Sequence, residues 1–169
     1  PIGIVDDLTW EDFSKVNVNI HKLEGIYPQI GFKRYYTQGE SHSHLIGYVS
    51  AISKSEEESN PLSKLSTAKA GKIGVEKAKD AILRGKLGNK NIEVNASGRE
   101  IRELDRVNSV QGNYIQLTID SELQKFCYER LKGLSGSVSV INVKNGEFYA
   151  LASSPSYDPN IFSKSISNE

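Results

Sequence analysis

The sequence predicts an α+β fold of short helices and small antiparallel sheets. Apolar residues recur at helical spacing only in short segments, and β-rich segments lie next to turns that contain glycine. Near the C-terminal end a strand, a helix and a hairpin follow one another, as they do at the start of many α+β sheets. A length of 169 residues suffices for one domain with a core, or for a small domain and part of another.

The first third of the chain predicts two helical segments separated by extended chain. Residues 9–20 place Trp10, Phe13 and Val16 at helical spacing, with Thr9 as the N-cap. Residues 26–36 are aromatic and β-branched, which indicates strand or extended chain. Residues 41–49 are typical of a compact helical turn that leads into Tyr48.

The middle of the chain predicts a loop, a helix and a hairpin. Residues 53–64 carry three adjacent glutamates and almost no apolar side chain, so we expect a solvated loop. Residues 71–87 have helical spacing, and Gly85 and Gly88 are stop signals. Residues 91–95 and 101–104 are expected to pair as strands around a tip at Gly98 and Arg99.

The last third gives the clearest pattern. Alternation over residues 115–119 predicts a strand, and Ser121 and Gln124 form a capping box for a helix that ends at Gly133. Residues 137–143 and 148–153 are predicted to form a hairpin, with Asn145-Gly146 in a type I′ turn. The stripe that would pack on this hairpin contains Leu123, Phe126, Cys127, Arg130 and Leu131.

Composition limits the classes of function. The 21 basic and 21 acidic residues balance, so we expect no nucleic-acid partner. Cys127 is the single cysteine, which excludes an internal disulfide, and we expect it to be a half-buried helix residue. No apolar run is long enough to cross a bilayer. The chain lacks methionine, and we favour the interpretation that it is an excised fragment.

The candidate catalytic and ligand-binding patterns are weak. Ser66-Thr-Ala-Lys69 has the spacing of an acyl-transferase serine and lysine, but the sequence contains no S-x-N and no K-T/S-G element. No Asp, Glu or Cys lies at a matching short spacing from His21, His42 and His44, so we expect no metal. The glycines fit no phosphate-binding motif, and we expect no cofactor.

Several segments, in this order and at these spacings, resemble class B penicillin-binding proteins of the elongation type, the peptidoglycan D,D-transpeptidases of rod-shaped bacteria. Each segment is weak by itself, but together they cover the chain from about Trp10 to Phe162. The matching segments are Arg34-Tyr-Tyr36, His44-Leu-Ile-Gly47-Tyr48-Val49, Gly71-Lys-Ile-Gly74-Val-Glu76-Lys77, Leu83-Arg84-Gly85-Lys86-Leu-Gly88, Glu93-Val-Asn95, Gly98-Arg99, Leu117-Thr-Ile-Asp120 with Leu123-Gln124, and Pro155 to Asn160.

The resemblance implies two domains. Residues 1–112 would be the pedestal, which the family calls the dimerisation domain, and residues 113–169 would be the beginning of the transpeptidase domain, with the catalytic serine beyond Glu169. The resemblance also implies a position at the periplasmic face of the inner membrane. In the family a membrane-spanning helix precedes this region, and residues 1–169 do not include it. The implied partners are a membrane glycosyltransferase and a rod-shape scaffold protein, with β-lactams binding only the complete protein.

The resemblance also supplies candidate structural and interaction residues, with His44 expected to order its local turn. For Glu76 and Arg99, a salt bridge or backbone hydrogen bonds between subdomains and two solvated surface charges both remain open. Ser137 and Ser139 depart from the apolar family pattern and are expected to face solvent. The complete set is His44, Gly47, Gly74, Glu76, Gly85, Gly98, Arg99, Asp120, Tyr157, Asp158 and Asn160.

Three functional hypotheses follow. The first is a non-catalytic scaffold and interaction module that positions a transpeptidase. The second is a self-contained serine acyl-enzyme or ligand-binding domain that uses Ser66 and Lys69, or the histidines. The third is a structural homodimer, for which we expect weak or no specific self-association, because the apolar face of residues 115–153 would associate nonspecifically.

Overall fold

The computed structural model describes residues 3–5, 7–23, 25–26, 28, 33–53, 68–96 and 100–163. These residues form six short α-helices and three two-stranded antiparallel sheets. The predicted α+β fold is confirmed. The loop at residues 54–64, the residue Ser66, the hairpin tip with Gly98 and Arg99, and residues 29–32 of the expected extended segment lie outside the described residues.

The N-terminal elements follow the sequence pattern closely. Helix α1 spans Trp10–Val18, and the Thr9 side chain accepts a hydrogen bond from Asp12 N at 3.1 Å, so the predicted N-cap is confirmed. The predicted compact turn is a 3₁₀ helix at Gly39–His42 that continues into α2 at Ser43–Ile46. Strand β1, Val49–Ala51, then pairs antiparallel with β2, Lys69–Gly71.

Residues 71–87 do not form the single helix that their spacing predicts. Gly71 ends β2, and two short helices follow, α3 at Gly74–Ala78 and α4 at Asp80–Leu83. The break lies at Lys79, whose φ of −122° and ψ of 18° are not helical. Asp80 gives the physical reason, because its carboxylate accepts a hydrogen bond from Gly71 N at 3.0 Å and so ties the start of α4 to the sheet.

The central hairpin has the predicted strands. Strand β3 spans Asn89–Val94 and pairs antiparallel with β4, Glu100–Val107. Gly85 follows α4 with a φ of +75°, and a Cβ atom there would lie 2.3 Å from Val110 O. This glycine therefore combines the predicted helix stop with a close backbone approach.

The C-terminal part contains the main apolar core. Helix α5, Ser121–Leu131, packs on the hairpin of β5, Gly136–Ile141, and β6, Phe148–Ser154, and α6 follows at Asn160–Ser163. Cys127 is buried, as are the two alanines of β6 that it packs with. The predicted helix and hairpin are confirmed, and Ser137 and Ser139 are exposed as expected. The core residues are Cys127, Ala150 and Ala152, with Leu123, Tyr128, Leu131, Val138 and Val140 around them.

Two details of this region differ from the prediction. Residues 115–119 do not form a strand: they meet β6 only near their end, where Thr118 Oγ1 donates to Phe148 O and Asp120 N to Tyr149 O, so no continuous ladder forms. The apolar stripe of α5 is also narrower than predicted, because Phe126 is 53% exposed. The Arg130 guanidinium lies over the Phe126 ring, 5.0 Å from the ring centroid.

The predicted cap and turn are likewise corrected. Asp120, not Ser121, caps α5, because its Oδ1 accepts from Glu122 N at 3.0 Å and Leu123 N at 2.9 Å. In the β5–β6 connection only Gly146 has a positive φ, whereas a type I′ turn needs two such residues in succession. The connection is instead a longer loop closed by hydrogen bonds between Asn142 and both Gly146 and Glu147.

Candidate functional site

The candidate functional site is the contact between two regions that are far apart in sequence. One is residues 34–49 together with α3, and the other is the start of α5, the end of β6 and residues 155–162. We call this contact the junction. Its geometry is set by a few buried or half-buried polar side chains, each of which bonds to the backbone of the opposite region.

Gln124 links three elements at the junction. Its side chain is 1% exposed, although glutamine is usually a surface residue. Its Nε2 donates to Ser41 O at 2.8 Å and Leu151 O at 2.9 Å, and its Oε1 accepts from Leu151 N at 2.6 Å. The amide therefore joins α5 to β6 and to the 3₁₀ turn, and the three bonds offset the cost of burying it.

A second group of contacts holds α2 against residues 155–157. The hydroxyls of Ser43 and Ser156 are 2.6 Å apart, and both lie within hydrogen-bonding distance of Glu40 O. His44 Nε2 donates to Pro155 O at 2.9 Å, and the Tyr157 hydroxyl donates to Ser43 O at 3.2 Å. His44, which the resemblance implies orders its own turn, thus bonds to a segment 111 residues away.

An aromatic cluster adds apolar contact beside these hydrogen bonds. The Tyr48 and Phe162 rings are stacked with centroids 4.2 Å apart, and Tyr157 meets both of them edge to face. His44 completes the cluster, with its ring perpendicular to Tyr157 at 5.3 Å. Such pairs contribute about 0.5 to 1.5 kcal/mol each beyond the area they bury. Burial also raises the pKa of the Tyr157 phenol.

Asn160 binds the backbone of Tyr36 as a neighbouring strand would. Its Oδ1 accepts from Tyr36 N at 2.9 Å, and its Nδ2 donates to Tyr36 O at 3.0 Å. Asp158 orients this amide, because Asp158 Oδ1 accepts from both Asn160 N and Asn160 Nδ2 at 2.9 Å. The Asp-Pro-Asn sequence at residues 158–160 is therefore a preorganised clamp on residue 36.

Glu76 is the buried charge next to this clamp. It is 4% exposed, and both of its oxygens face Arg34, with Nε 2.8 Å from Oε1 and Nη2 3.3 Å from Oε2. The Tyr36 hydroxyl donates to the same carboxylate at 3.3 Å and accepts from Val49 N at 3.0 Å. Burial, followed by the charge of Glu76, raises the pKa of Tyr36, so the phenol remains a donor at neutral pH.

Two glycines let the backbones of α2 and α3 touch. A Cβ atom at Gly47 would lie 2.0 Å from Ile73 O, and one at Gly74 would lie 2.5 Å from Leu45 O. Both residues also have positive φ, at +81° and +61°. Only glycine satisfies both requirements, so these positions fix how the turn sits on α3.

The predicted site residues do not all lie at the junction. His44, Glu76, Tyr157, Asp158 and Asn160 contribute side-chain contacts, and Gly47 and Gly74 contribute close backbone approach. Asp120 caps α5 beside the junction, whereas Gly85 lies near Val110. Gly98 and Arg99 are outside the described residues. Glu76 is paired with Arg34, so the interpretation of Glu76 as a solvated surface charge is wrong.

Sequence reasoning missed four polar residues of the junction. The sequence patterns place Gln124 in a capping box, offer His42 only as a metal ligand and give Ser43 and Ser156 no role, although Gln124 and Ser156 lie in segments that resemble the family. A polar residue on the apolar face of an amphipathic helix would have been the signal for Gln124. The hydroxyls had no signal, because their contacts span 113 residues.

Metal and acyl-enzyme chemistry gain no support from the geometry. Within the described ranges, no three His, Cys, Asp or Glu side chains converge on a common point. Lys69 lies in β2, while Ser66, its proposed partner, is outside the described residues. No helix of the described part of the chain is long and apolar enough to cross a membrane.

Short helices and two-stranded antiparallel sheets, joined through the junction, are the architecture of a small α+β fold. The chain belongs to the penicillin-binding protein dimerisation domain family, whose model matches residues 1–117. It is 36% identical to peptidoglycan D,D-transpeptidase MrdA of Haemophilus influenzae over the full chain, and 36% identical to that of Escherichia coli over 99% of it. In both cases the chain spans 27% of the relative's length.

Solved structures agree with this membership. The fold matches PBP2 of Helicobacter pylori, solved in complex with MreC, with a TM-score of 0.74 and 29% identity over 95% of this chain and 30% of that one. It also matches PBP2 of Pseudomonas aeruginosa, solved with WCK 5153, with a TM-score of 0.64 and 32% identity over 83% of this chain and 28% of that one.

Proposed function

We propose that this chain is the non-catalytic pedestal of a peptidoglycan D,D-transpeptidase that acts in cell-wall elongation and rod-shape maintenance. The observation that carries the proposal is the junction. The buried Gln124 and the half-buried Asn160 and Tyr157 bond to backbone on the other side, so residues 34–49 and α3 form a support for α5 and the β5–β6 hairpin. The names of the relatives supply the reaction, which residues beyond Glu169 would perform.

The proposed setting is the periplasmic face of the bacterial inner membrane. There the pedestal would hold the transpeptidase domain away from the bilayer and present a surface to other proteins of the elongation machinery. A rod-shape scaffold protein of the MreC type is the first such partner, since the Helicobacter pylori relative was solved with MreC. A membrane glycosyltransferase is the second.

Labelling with a fluorescent penicillin tests whether the acylating residue lies outside residues 1–169. The complete product of the reading frame that contains residues 1–169 is expected to become covalently labelled, because an acylating serine lies in its later part. The 169-residue chain is expected to remain unlabelled at the same concentration. Labelling is followed by in-gel fluorescence after denaturation, so that only covalent adducts are counted.

The matched control is Ser66→Ala in the short chain. Labelling of the short chain that disappears in this variant would establish the alternative, a self-contained acyl-enzyme that uses Ser66 and Lys69. An unlabelled complete product would contradict the transpeptidase assignment itself.

The partner proposal has a separate test. The 169-residue chain is expected to bind the periplasmic region of the MreC protein from the same genome saturably, as measured by isothermal titration calorimetry. Affinity in the micromolar range would suit a transient assembly contact, equivalent to roughly −8 kcal/mol. Absence of any heat of binding, with both proteins shown to be folded by circular dichroism, would contradict a pedestal-only docking site for MreC.

A further inference from the structure

His42 is a buried titratable residue at the junction with no role in the proposed function. It ends the 3₁₀ turn and is 5% exposed. Its Nδ1 is 2.9 Å from the Ser41 hydroxyl, and its Nε2 is 3.4 Å from the hydroxyl of Ser121, the first residue of α5. The ring therefore stands between the turn and the helix.

The hydrogen bonds fix which nitrogen carries the proton. The Ser41 hydroxyl donates to Gln38 O at 2.9 Å, and with its one proton used it can only accept from the ring. Nδ1 is then the donor, and Nε2 of the neutral ring accepts from the Ser121 hydroxyl. This arrangement requires His42 to be neutral.

The surroundings offer little compensation for a positive charge. Glu40, on the same turn, accepts a hydrogen bond from the Tyr128 hydroxyl, and Asp120, at the start of α5, caps that helix. Glu122 also belongs to the first turn of α5, and His44 of α2 bonds to Pro155. Neither ring nitrogen of His42 has a carboxylate among its hydrogen-bond partners. Burial lowers the pKa of His42 below its ordinary value.

A proton can nevertheless reach the ring. His42 lines a cavity of about 120 Å³ whose other walls are residues 35–39, Ile46 and Pro159. A water molecule occupies about 30 Å³ in the liquid, so the cavity has room for water. On this wall, burial raises the pKa of the Tyr36 phenol, which therefore stays uncharged in mild acid and would not balance the new charge.

We propose that His42 makes the junction acid-sensitive, so that protonation of its ring loosens the contact between the 3₁₀ turn and α5. The second proton occupies Nε2, where the ring accepts from Ser121, and the Ser121 hydroxyl must turn away. The new charge also lies next to the N-terminal end of an 11-residue helix, which carries a partial positive charge. In acid, the pedestal would hold the domain that follows it less firmly.

The direction of the pH effect follows from linkage. In the unfolded chain a histidine takes up its proton near pH 6.5, whereas in the folded chain His42 resists protonation to a lower pH. The contribution of neutral His42 is therefore present in full above about pH 7 and is lost as the pH falls from about 6.5 through the lower pKa of the folded state.

The test compares melting temperatures of the 169-residue chain at about pH 7.5 and about pH 5. The wild-type Tm is expected to fall by ~2–4 °C more than that of His42→Gln, which keeps a donor and an acceptor but does not titrate. His21→Gln, at an exposed histidine, is the matched control and should keep the wild-type fall. An equal fall in wild type and His42→Gln would overturn the proposal.

A second measurement uses only the wild-type chain, so it does not depend on whether a variant folds. In the wild-type chain, NMR is expected to show that the His42 ring titrates below about pH 6.5, where a histidine ordinarily titrates. The amide signals of residues 121–124 are expected to shift with the same midpoint. An ordinary His42 midpoint, or α5 amides that do not follow it, would overturn the proposal.

Discussion

Replacement of Gly47 by alanine is expected to lower the free energy of unfolding by more than about 4 kcal/mol, enough to prevent folding of the turn onto α3. The added Cβ would lie 2.0 Å from Ile73 O and 2.6 Å from the Ile73 carbonyl carbon, and both atoms belong to backbone that cannot move aside alone. The φ of +81° and ψ of −155° also lie in a region that is essentially restricted to glycine. Urea unfolding followed by circular dichroism measures the loss.

Gly146→Ala is the matched control for the Gly47 variant. Gly146 has a similar φ of +77°, but nothing lies within 4 Å of a Cβ placed there. The control therefore carries the left-handed backbone cost alone, about 1 to 2 kcal/mol. If the two variants lost equal stability, the close approach of α2 and α3 would have no energetic weight.

Replacement of Gln124 by leucine is expected to cost about 3 kcal/mol or more, although the two side chains have similar volume. The variant leaves Ser41 O, Leu151 O and Leu151 N without their partner, and each buried unsatisfied group costs about 1 to 3 kcal/mol. The added apolar surface offsets part of this. Urea unfolding measures the total loss of stability. Hydrogen exchange at Leu151 N is expected to become faster and shows where in the structure the loss occurs.

Gln116→Leu provides the control for Gln124, because Gln116 is exposed and outside the helices and strands. It should change the stability by less than about 0.5 kcal/mol. Unchanged exchange at Leu151 N in the Gln124 variant, whatever the global stability, would show that the amide does not hold β6 to α5.

Local rules predicted the elements whose signals lie within a few residues. Thr9 caps α1 because the bond to Asp12 N spans three residues, and the β5–β6 hairpin forms around a turn-forming sequence. The same rules failed where a long-range contact competes. Asp80 breaks the predicted helix by bonding to Gly71, and Gln124 leaves the capping box for partners up to 83 residues away.

The family resemblance supplies some residues of the junction as structural residues, but it does not indicate which of them meet. No pattern within the chain shows that Asn160 binds Tyr36 or that Glu76 pairs with Arg34. Those contacts span 124 and 42 residues. The same limit explains why the sequence does not indicate Arg34 as the partner of Glu76.

The clamp of Asn160 on Tyr36 has a consequence for biosynthesis. The N-terminal unit cannot complete its packing until a residue 124 positions later has left the ribosome, a delay of roughly 6 to 25 s at ordinary translation rates. During that interval the backbone of residue 36 lacks its final partner, and the nascent polypeptide is a candidate client for chaperones. Packing around residue 36 is thus expected to be completed only after residues 158–160 have been synthesised.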